Sequence, residues 1–473
     1  MRLFGHFVAP AFVLLASLDG ALFMAALHLI SLGPHCERCY LGSIIRLNPL
    51  EILALTGAFL LLTASVGLYN EDAFQSFRTF LKRFIVSWQI IFALSVGFLA
   101  VSKAAAGMPF GWYVGILSLA IALFMVLLFT LRVVLVWGLR LSFIKRRVIV
   151  LGEGQIAEQV ARFLRESGRS HLEYVQTIKS VAVSSALVAL PTSDRVLRLR
   201  REEPVTLSAA VAALNADEVV VAVEDRRGLP FYELLECKLN GVDVTDALMF
   251  WERETGQIDL AHAGVGWLSF SGGFVLNQSR RVLKRALDIA VSLSFLIFML
   301  PVIVPVAIAI KLESPGPVFY RQERVGLGGK IFRVWKFRSM REDAERDGVP
   351  RWAAASDDRV TRVGKIIRML RIDEIPQVFN VLNGEMSFIG PRPERPFFVE
   401  QLREQIPYYD LRHRMRPGIT GWAQVNYPYG ASIEDARRKL AFDLYYLKKN
   451  DLLMDIAILM QTVRVIVFGY GSR

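Results

Sequence analysis

Asp373 and Glu374 are adjacent carboxylates in a segment crowded with cations, Arg368-Met369-Leu370-Arg371-Ile372-Asp373-Glu374-Ile375-Pro376-Gln377. Neighbours on a helix point about 100° apart, so the pair can serve one site in two roles instead of sharing one proton. One carboxylate can attack phosphorus while the other holds a divalent cation or orients the incoming group. An isolated Asp-Glu pair more often caps a helix or faces water, so the surrounding residues decide. Upstream, Arg321, Arg324, Arg333, Lys336 and Arg338 recur among Phe319, Tyr320, Trp335, Phe337 and glycines. That mixture suits a diphosphate pocket, whose oxygens take several charge-assisted hydrogen bonds. A basic strand lying on lipid head groups would have the same composition. Downstream, Gly390-Pro391-Arg392-Pro393 and Arg416-Pro417-Gly418-Ile419-Thr420-Gly421-Trp422 read as tight turns presenting backbone and guanidinium groups to a ligand.

The elements that must position these residues begin with membrane segments. Four apolar runs near the roughly 20 residues needed to span a bilayer precede residue 140, at 7–30, 50–69, 84–102 and 110–131. Arg2, Arg78, Lys82, Arg83, Arg140, Lys145, Arg146 and Arg147 face one side, against Arg38, Arg46 and Lys103 on the other. The positive-inside rule then puts the N-terminus and everything after residue 140 in the cytoplasm. Asp19, inside the first run, is either a functional intramembrane charge or a carboxylate satisfied between helices. Cys36 and Cys39 fall in an outer loop, as an extracytoplasmic disulfide, as free thiols, or as part of a metal site that lacks four evident ligands.

Arg147-Val148-Ile149-Val150-Leu151, then Gly152-Glu153-Gly154, then a helical stretch to Leu164 form the strand, glycine turn and helix start of a dinucleotide-type βαβ unit. A run from Glu218 to Val223 supports a parallel sheet. No carboxylate stands at residues 174–179, where a ribose-binding acid belongs, so a degenerate nucleotide fold is expected. A fifth apolar stretch, 286–310, is flanked by Lys284, Arg285 and Lys311 and contains Pro301 and Pro305. Each proline removes a helix hydrogen bond, and basic residues at both ends place those ends on one side. A helix that enters one leaflet, breaks and returns meets both conditions. Residues 436–468 read either as helices on the membrane surface or as packing helices.

Composition agrees. The 473 residues are 53% hydrophobic with mean hydropathy +0.38, yet the net charge is +12. Apolar and basic together suit a membrane protein facing anionic head groups or a polyanionic substrate. No nucleic-acid-binding motif is present, so nucleic acid is not an expected partner.

Residues 280–473 resemble the bacterial sugar transferases, the polyprenyl-phosphate hexose-1-phosphate transferase family of monotopic phosphoglycosyl transferases. The resemblance rests on Lys284-Arg285-x-x-Asp288, Lys336-Phe337-Arg338-x-Met340, Asp373-Glu374-x-Pro376-Gln377, the Gly390–Pro393 turn and the Arg416–Trp422 loop. With the preceding segments, the chain is similar to the long form of that family; residues 237–256 look like the subgroup tied to exopolysaccharide export. The fold this implies is a four-helix transmembrane bundle (1–140), an α/β Rossmann-like insert (141–265) and a mainly α catalytic domain with a re-entrant membrane helix (280–473). Asp373 would be the nucleophile on the β-phosphorus of a UDP-sugar, releasing UMP. Glu374, with Asp373, would hold Mg²⁺. Lys336, Arg338, Arg368 and Arg392 would contact phosphate, and Arg416, Pro417, Gly418 and Thr420 the nucleotide or acceptor. Undecaprenyl phosphate would accept the sugar phosphate, at the cytoplasmic face of the inner membrane. UDP-glucose or UDP-galactose is the donor expected by analogy, and a homodimer through the helices and insert is compatible with this architecture. Some members carry Ser before the helix-breaking proline; this chain has Leu300, so the break rests on Pro301 and Pro305. Two rivals remain: an oxidoreductase using the Gly152–Gly154 turn, for which no Tyr-x-x-x-Lys dyad is found in 145–262, and a membrane scaffold with an inactive transferase domain, which the intact Asp-Glu pair opposes.

Overall fold

A computed structural model describes residues 2–3, 6–7, 10–31, 49–69, 77–104, 124–134, 145–166, 171–179, 206–227, 229–274, 277–341, 359–428, 430 and 432–468. They are mostly helical with small sheets and form two compact units, Met1–Thr255 and Gly256–Arg473.

In the first unit, α1 (Pro10–Ser31), α2 (Pro49–Val66), α3 (Phe77–Ala104) and α4 (Phe124–Val133) carry the apolar runs. Their shared core is aromatic. Phe23 stacks on Phe59 at 4.4 Å between centroids and meets Phe124 edge-on at 5.2 Å, with Phe80, Phe84 and Leu128 around them. Within the described residues of these four, α2 is long and apolar enough to cross a bilayer. The start of the fourth expected run, and both Cys36 and Cys39, lie outside the described residues. Helix α3 begins seven residues before its expected run. Arg78, Lys82 and Arg83 therefore sit in its first turns instead of a loop, because nothing there breaks a helix and Lys and Arg propagate one well. Asp19 is the satisfied carboxylate of the two readings. It is buried, accepts from the Tyr69 hydroxyl at 2.8 Å and pairs with Arg132, which also donates to the Leu68 carbonyl at 3.2 Å. An unpartnered charge in such surroundings would cost roughly several kcal/mol.

The same unit holds β1 (Arg146–Leu151), α5 (Gln155–Glu166), β2 (Leu172–Ile178), α6 (Leu207–Ala213), β3 (Glu218–Val221), α7 (Phe231–Leu239), β4 (Asp243–Asp246) and α8 (Ala247–Thr255). The strands form one parallel sheet in the order β2-β1-β3-β4. The turn after β1 demands glycine: Gly152 has φ +142°, and a Cβ there would stand 2.0 Å from the Ala222 carbonyl oxygen. At Gly154 the Glu224 carboxylate comes within 3.5 Å of the Cβ position. A negative group thus sits beside the α5 N-terminus, where the dinucleotide pattern would seat a phosphate.

In the second unit, α9 (Gln278–Glu313) is a single helix of 36 residues, long and apolar enough to be a membrane segment. It stays helical through Pro301 and Pro305, so the expected break at those residues is not a gap in the helix. The prolines cost the Ile297 and Pro301 carbonyls their usual donors, but the helical path continues. One stripe of α9 (Met299, Ile303, Val306, Ala307, Ile310) packs on Phe337, Ile367 and Ile375. The opposite stripe of Leu293, Ile297, Leu300, Val304, Ile308 and Leu312 is exposed. Both ends are tied into the same unit. Near the start, Arg285 donates to the Val381 and Leu382 carbonyls, and Asp288 accepts from Ser387 Oγ and the Phe388 N–H. At the end, Glu313 accepts from the Arg362 and Val363 N–H groups.

A hairpin of β5 (Phe319–Val325) and β6 (Ile331–Phe337) follows, then α10 (Arg362–Met369), α11 (Gln377–Asn383), β7 (Ser387–Ile389), α12 (Pro396–Gln405), β8 (Gly418–Thr420), α13 (Trp422–Asn426), α14 (Ile433–Lys449) and α15 (Leu452–Phe468). Leu440 to Lys448 of α14 are all buried, so that helix is a packing element and not a membrane-surface one. Its start is secured by a capping box between Ser432 and Asp435.

Candidate active site

Helix α10 starts at Thr361, whose hydroxyl accepts from the Gly364 N–H at 2.9 Å. Gly364 is required there, since a Cβ would lie 2.0 Å from the Ser339 carbonyl oxygen. The helix ends at Met369, and Arg371 adopts a left-handed conformation (φ 56°) that reverses the chain. Ile372–Glu374 then form a single 3₁₀ turn, and Pro376 starts α11. The carboxylates therefore sit on a 3₁₀ turn between two helices, not within an α-helix as the sequence suggested. At three residues per turn their side chains still diverge, by about 120°. Ile375, buried beside Phe337 and Ile367, fixes the turn from below.

The strand alternation of β6 sends Val334 into a core with Val381 and Met386 and turns Lys336 to the same face. Lys336 Nζ donates to Glu374 Oε1 at 3.3 Å. Arg392 grips Glu374 with both terminal nitrogens, Nη2 to Oε1 at 2.5 Å and Nη1 to Oε2 at 3.2 Å. Glu374 is thus bound bidentately and by a second cation. Asp373 makes no hydrogen bond or ion pair with any described residue, while the charges of Lys336, Arg392 and Arg368 act on it. Burial and the neighbouring Glu374 charge push the Asp373 carboxyl up to about 6, against the pull of those cations. Burial would raise Glu374 too, but Arg392 and Lys336 more than offset it and hold that carboxyl well below the usual range. Burial lowers the Lys336 ammonium, the two carboxylates opposing.

The Arg392 turn is itself a built object. Strands β7 and β8 pair in parallel, Ser387 opposite Gly418 and Ile389 opposite Thr420. Gly418 N–H donates to the Pro391 carbonyl at 2.8 Å, Gly390 N–H to the Thr420 carbonyl at 2.9 Å, and Ser387 N–H to the Pro417 carbonyl at 2.9 Å. A Cβ on Gly418 would stand 2.0 Å from the Gly390 nitrogen. Pro417, Gly418 and Thr420 are therefore spent on this ladder, with Thr420 Oγ1 also bonded to Thr462 at 2.7 Å. They hold the Arg392 turn in place. Arg416 is half-buried and pairs with no described acid.

Arg338 is likewise engaged within the fold. Its guanidinium donates to the carbonyls of Pro315 at 2.7 Å, Ser314 at 2.8 Å and Ile310 at 3.3 Å, and to Ser314 Oγ. It caps the C-terminus of α9, where free carbonyls attract a cation. Arg338→Met is expected to lower stability by about 1–3 kcal/mol, the cost of orphaning buried acceptors, while the KM for the substrate stays within about twofold. A thermal melt alongside saturation kinetics checks it; a KM rise beyond about tenfold with an unchanged melt would return Arg338 to the phosphate set. Sequence reasoning also missed contributors. Gln424 Oε1 accepts from Arg392 Nη1 at 3.4 Å, and Arg412 Nη2 donates to the Arg392 carbonyl at 2.9 Å. Gln424 lies in the glycine-, proline- and arginine-rich stretch 414–426 but its amide carries no signal of its own, and Arg412 falls just before that stretch.

Comparison with known proteins matches this unit as a whole. Residues 279–469 fit the family described as Bacterial sugar transferase. The chain is 42% identical over 265 residues to a UDP-N-acetylgalactosamine-undecaprenyl-phosphate N-acetylgalactosaminephosphotransferase of Aeromonas hydrophila, covering 56% of this chain and 62% of that protein. It is 45% identical over 190 residues to a UDP-glucose:undecaprenyl-phosphate glucose-1-phosphate transferase of Escherichia coli K12, covering 40% of this chain and 41% of that protein. Less than two thirds of either relative is therefore spanned. By contrast, a match of 44% identity over 191 residues takes in 94% of the exopolysaccharide production protein PSS of Rhizobium leguminosarum bv. phaseoli and 38% of this chain. A whole relative aligns with the unit that carries the paired carboxylates and their cations, and by that measure the chain belongs to the bacterial sugar transferase family.

Proposed function

We propose that this site moves a sugar 1-phosphate from a UDP-sugar to undecaprenyl phosphate, releasing UMP and starting exopolysaccharide assembly. The observation that carries the reading is the asymmetry of the carboxylates: Glu374 is locked by Arg392 and Lys336, whereas Asp373 stands beside the same cations with its oxygens bonded to no described residue. In the first step an Asp373 carboxylate oxygen attacks the β-phosphorus. The bond from that phosphorus to the bridging oxygen breaks, and its electron pair leaves on UMP. In the second, an undecaprenyl phosphate oxygen attacks the same phosphorus, and the acyl phosphate bond breaks to return the pair to Asp373. Lys336, Arg368 and Arg392 offset charge on the phosphoryl oxygens throughout.

Among the described residues no three acidic, His or Cys side chains cluster as a metal cage. Mg²⁺ is commonly bound through one or two carboxylates plus substrate phosphates. Asp373 fits that role, its oxygens bonded to no described residue, and Glu374 would join it by giving up an Arg392 contact; the ion would neutralise the diphosphate there. Both ends of α9 are bonded into one globular unit, whereas a crossing helix would carry its ends to opposite faces. This supports a re-entrant α9 with the catalytic unit on the cytoplasmic face of the inner membrane. The helices of 1–140 then form a membrane bundle, and the parallel sheet of 141–265 is a nucleotide fold that has lost its ligand, in keeping with Glu224 beside its glycine turn.

The test incubates purified full-length protein with Mg²⁺, undecaprenyl phosphate and a panel of UDP-sugars. The panel covers glucose, galactose and N-acetylgalactosamine, since relatives are named for glucose and N-acetylgalactosamine transfer. UMP release with lipid-linked sugar phosphate is expected for at least one donor; UDP as the product would sink the mechanism.

A further inference from the structure

Arg392 reaches Glu374 through a side chain of several rotatable bonds, so the direction it takes depends on how its own backbone is held. Four successive carbonyls around it are each claimed by a donor. The Pro391 carbonyl accepts from the Gly418 N–H at 2.8 Å and the Arg392 carbonyl from Arg412 Nη2 at 2.9 Å. The Pro393 carbonyl accepts from Arg324 Nη1 at 2.9 Å and the Glu394 carbonyl from the Val325 N–H at 2.9 Å. Peptide units are planar, so a bond to the carbonyl on each side of the Arg392 Cα fixes both planes that meet there, and with them the Cα–Cβ direction. Prolines at 391 and 393 restrict the same torsions from within the chain. Two of the four donors are arginine side chains from distant elements, Arg324 on β5 and Arg412 on the 3₁₀ helix Tyr409–Arg414.

Arg324 also donates to Gln322 Oε1 at 2.7 Å and stands 3.7 Å from Glu394. Arg412 donates to the Tyr409 hydroxyl at 2.7 Å and stands 2.9 Å from Asp443, which is buried with it. A buried ion pair is a weak source of stability, because desolvation offsets much of its attraction. What this one adds is a rigid fork with one nitrogen aimed at the Arg392 carbonyl. We propose that Arg412 and Arg324 are positioning residues of the transfer reaction, clamping the Arg392 backbone from two sides so that its guanidinium stays on Glu374. Asp443 holds Arg412 to that position. The proposal rests on the transfer reading above, and the two arginines act through Arg392 without touching a substrate atom.

The experiment uses the full chain in detergent with Mg²⁺, undecaprenyl phosphate and the UDP-sugar panel. Arg412→Lys and Arg324→Lys keep the charge, but a lone ammonium cannot reproduce the planar fork. Each is expected to lower kcat by about 10²-fold, the scale of a group misplaced by about 1 Å, with the KM for the UDP-sugar within about threefold of native. In an Arg392→Ala background the same changes should cost no more than about threefold further, because the residue they act through is gone. Phenylglyoxal labelling of Arg392, read by mass spectrometry without substrate, should become severalfold faster in both lysine variants. Leu444→Ala, a buried change beside Asp443, is the control: it lowers the melting temperature and leaves kcat and Arg392 labelling near native. The proposal is overturned by an undiminished kcat in both lysine variants, by a full further loss in the Arg392→Ala background, or by a control that reproduces both changes. If the native protein turns over no donor, the transfer reading fails. Faster labelling in the variants would then still support the clamp, and unchanged labelling would discard it.

Discussion

Asp373→Asn is expected to lower the rate of UMP release by about 10⁴-fold or more, with donor binding retained. The amide keeps the shape of the side chain but removes the nucleophilic oxygen charge, and Glu374 cannot substitute. Both of its oxygens are engaged by Arg392, and Lys336 adds a further contact to Oε1. The adduct predicted on Asp373 should be trapped in the native protein by omitting the lipid acceptor, and should be missing from the variant. Stoichiometry of labelled sugar phosphate on denatured protein measures it. Residual turnover within about tenfold of native would remove Asp373 from the chemistry.

The second large effect concerns pH, and two variants should move it in opposite directions. On the proposed mechanism attack requires the Asp373 carboxylate, and that carboxyl is pushed up to about 6 by burial and by the Glu374 charge. Activity on the donor should therefore fall as pH drops through about 6, by roughly tenfold per unit below it. Glu374→Gln removes a cause of the rise and leaves the cations in place, so the acid limb shifts to lower pH. Arg392→Ala removes a cation that lowers the Asp373 value, so the limb shifts to higher pH. Each change also loosens the phosphate site, and a drop in kcat of about 10²–10³-fold is expected, the scale of losing one preorganised charge partner. Profiles of kcat/KM for the UDP-sugar from pH 5 to 8.5 decide the matter. Two limbs that move together, or neither moving, would mean that another group controls the acid side.

Much of the site was legible before the fold. Asp373 and Glu374 stand in a run of cations too dense for simple solvation, and the glycine-proline-arginine turns on either side of β7 and β8 mark backbone held in tight geometry. The strand, glycine turn and helix at 146–166 was also readable, because the Gly152 requirement is local: its φ of +142° is one that L side chains rarely adopt. The break at Pro301 and Pro305 was the natural local inference, yet α9 continues through both. Missing hydrogen bonds weaken a helix without dictating its path when one face is packed against Phe337 and Ile367.

What the linear chain determined by itself was chemistry: which side chains can attack, which can neutralise, and which stretches avoid water. Tertiary structure decided which of the cations reach the carboxylates. Lys336 meets Glu374 across 38 residues and Arg392 across 18, while Arg338, two residues from Lys336, points instead at the end of α9. Along a strand, side chains alternate between faces, but the partner each one meets is set by elements far away in sequence. Residue type fixes what a group can do; packing fixes whom it does it with.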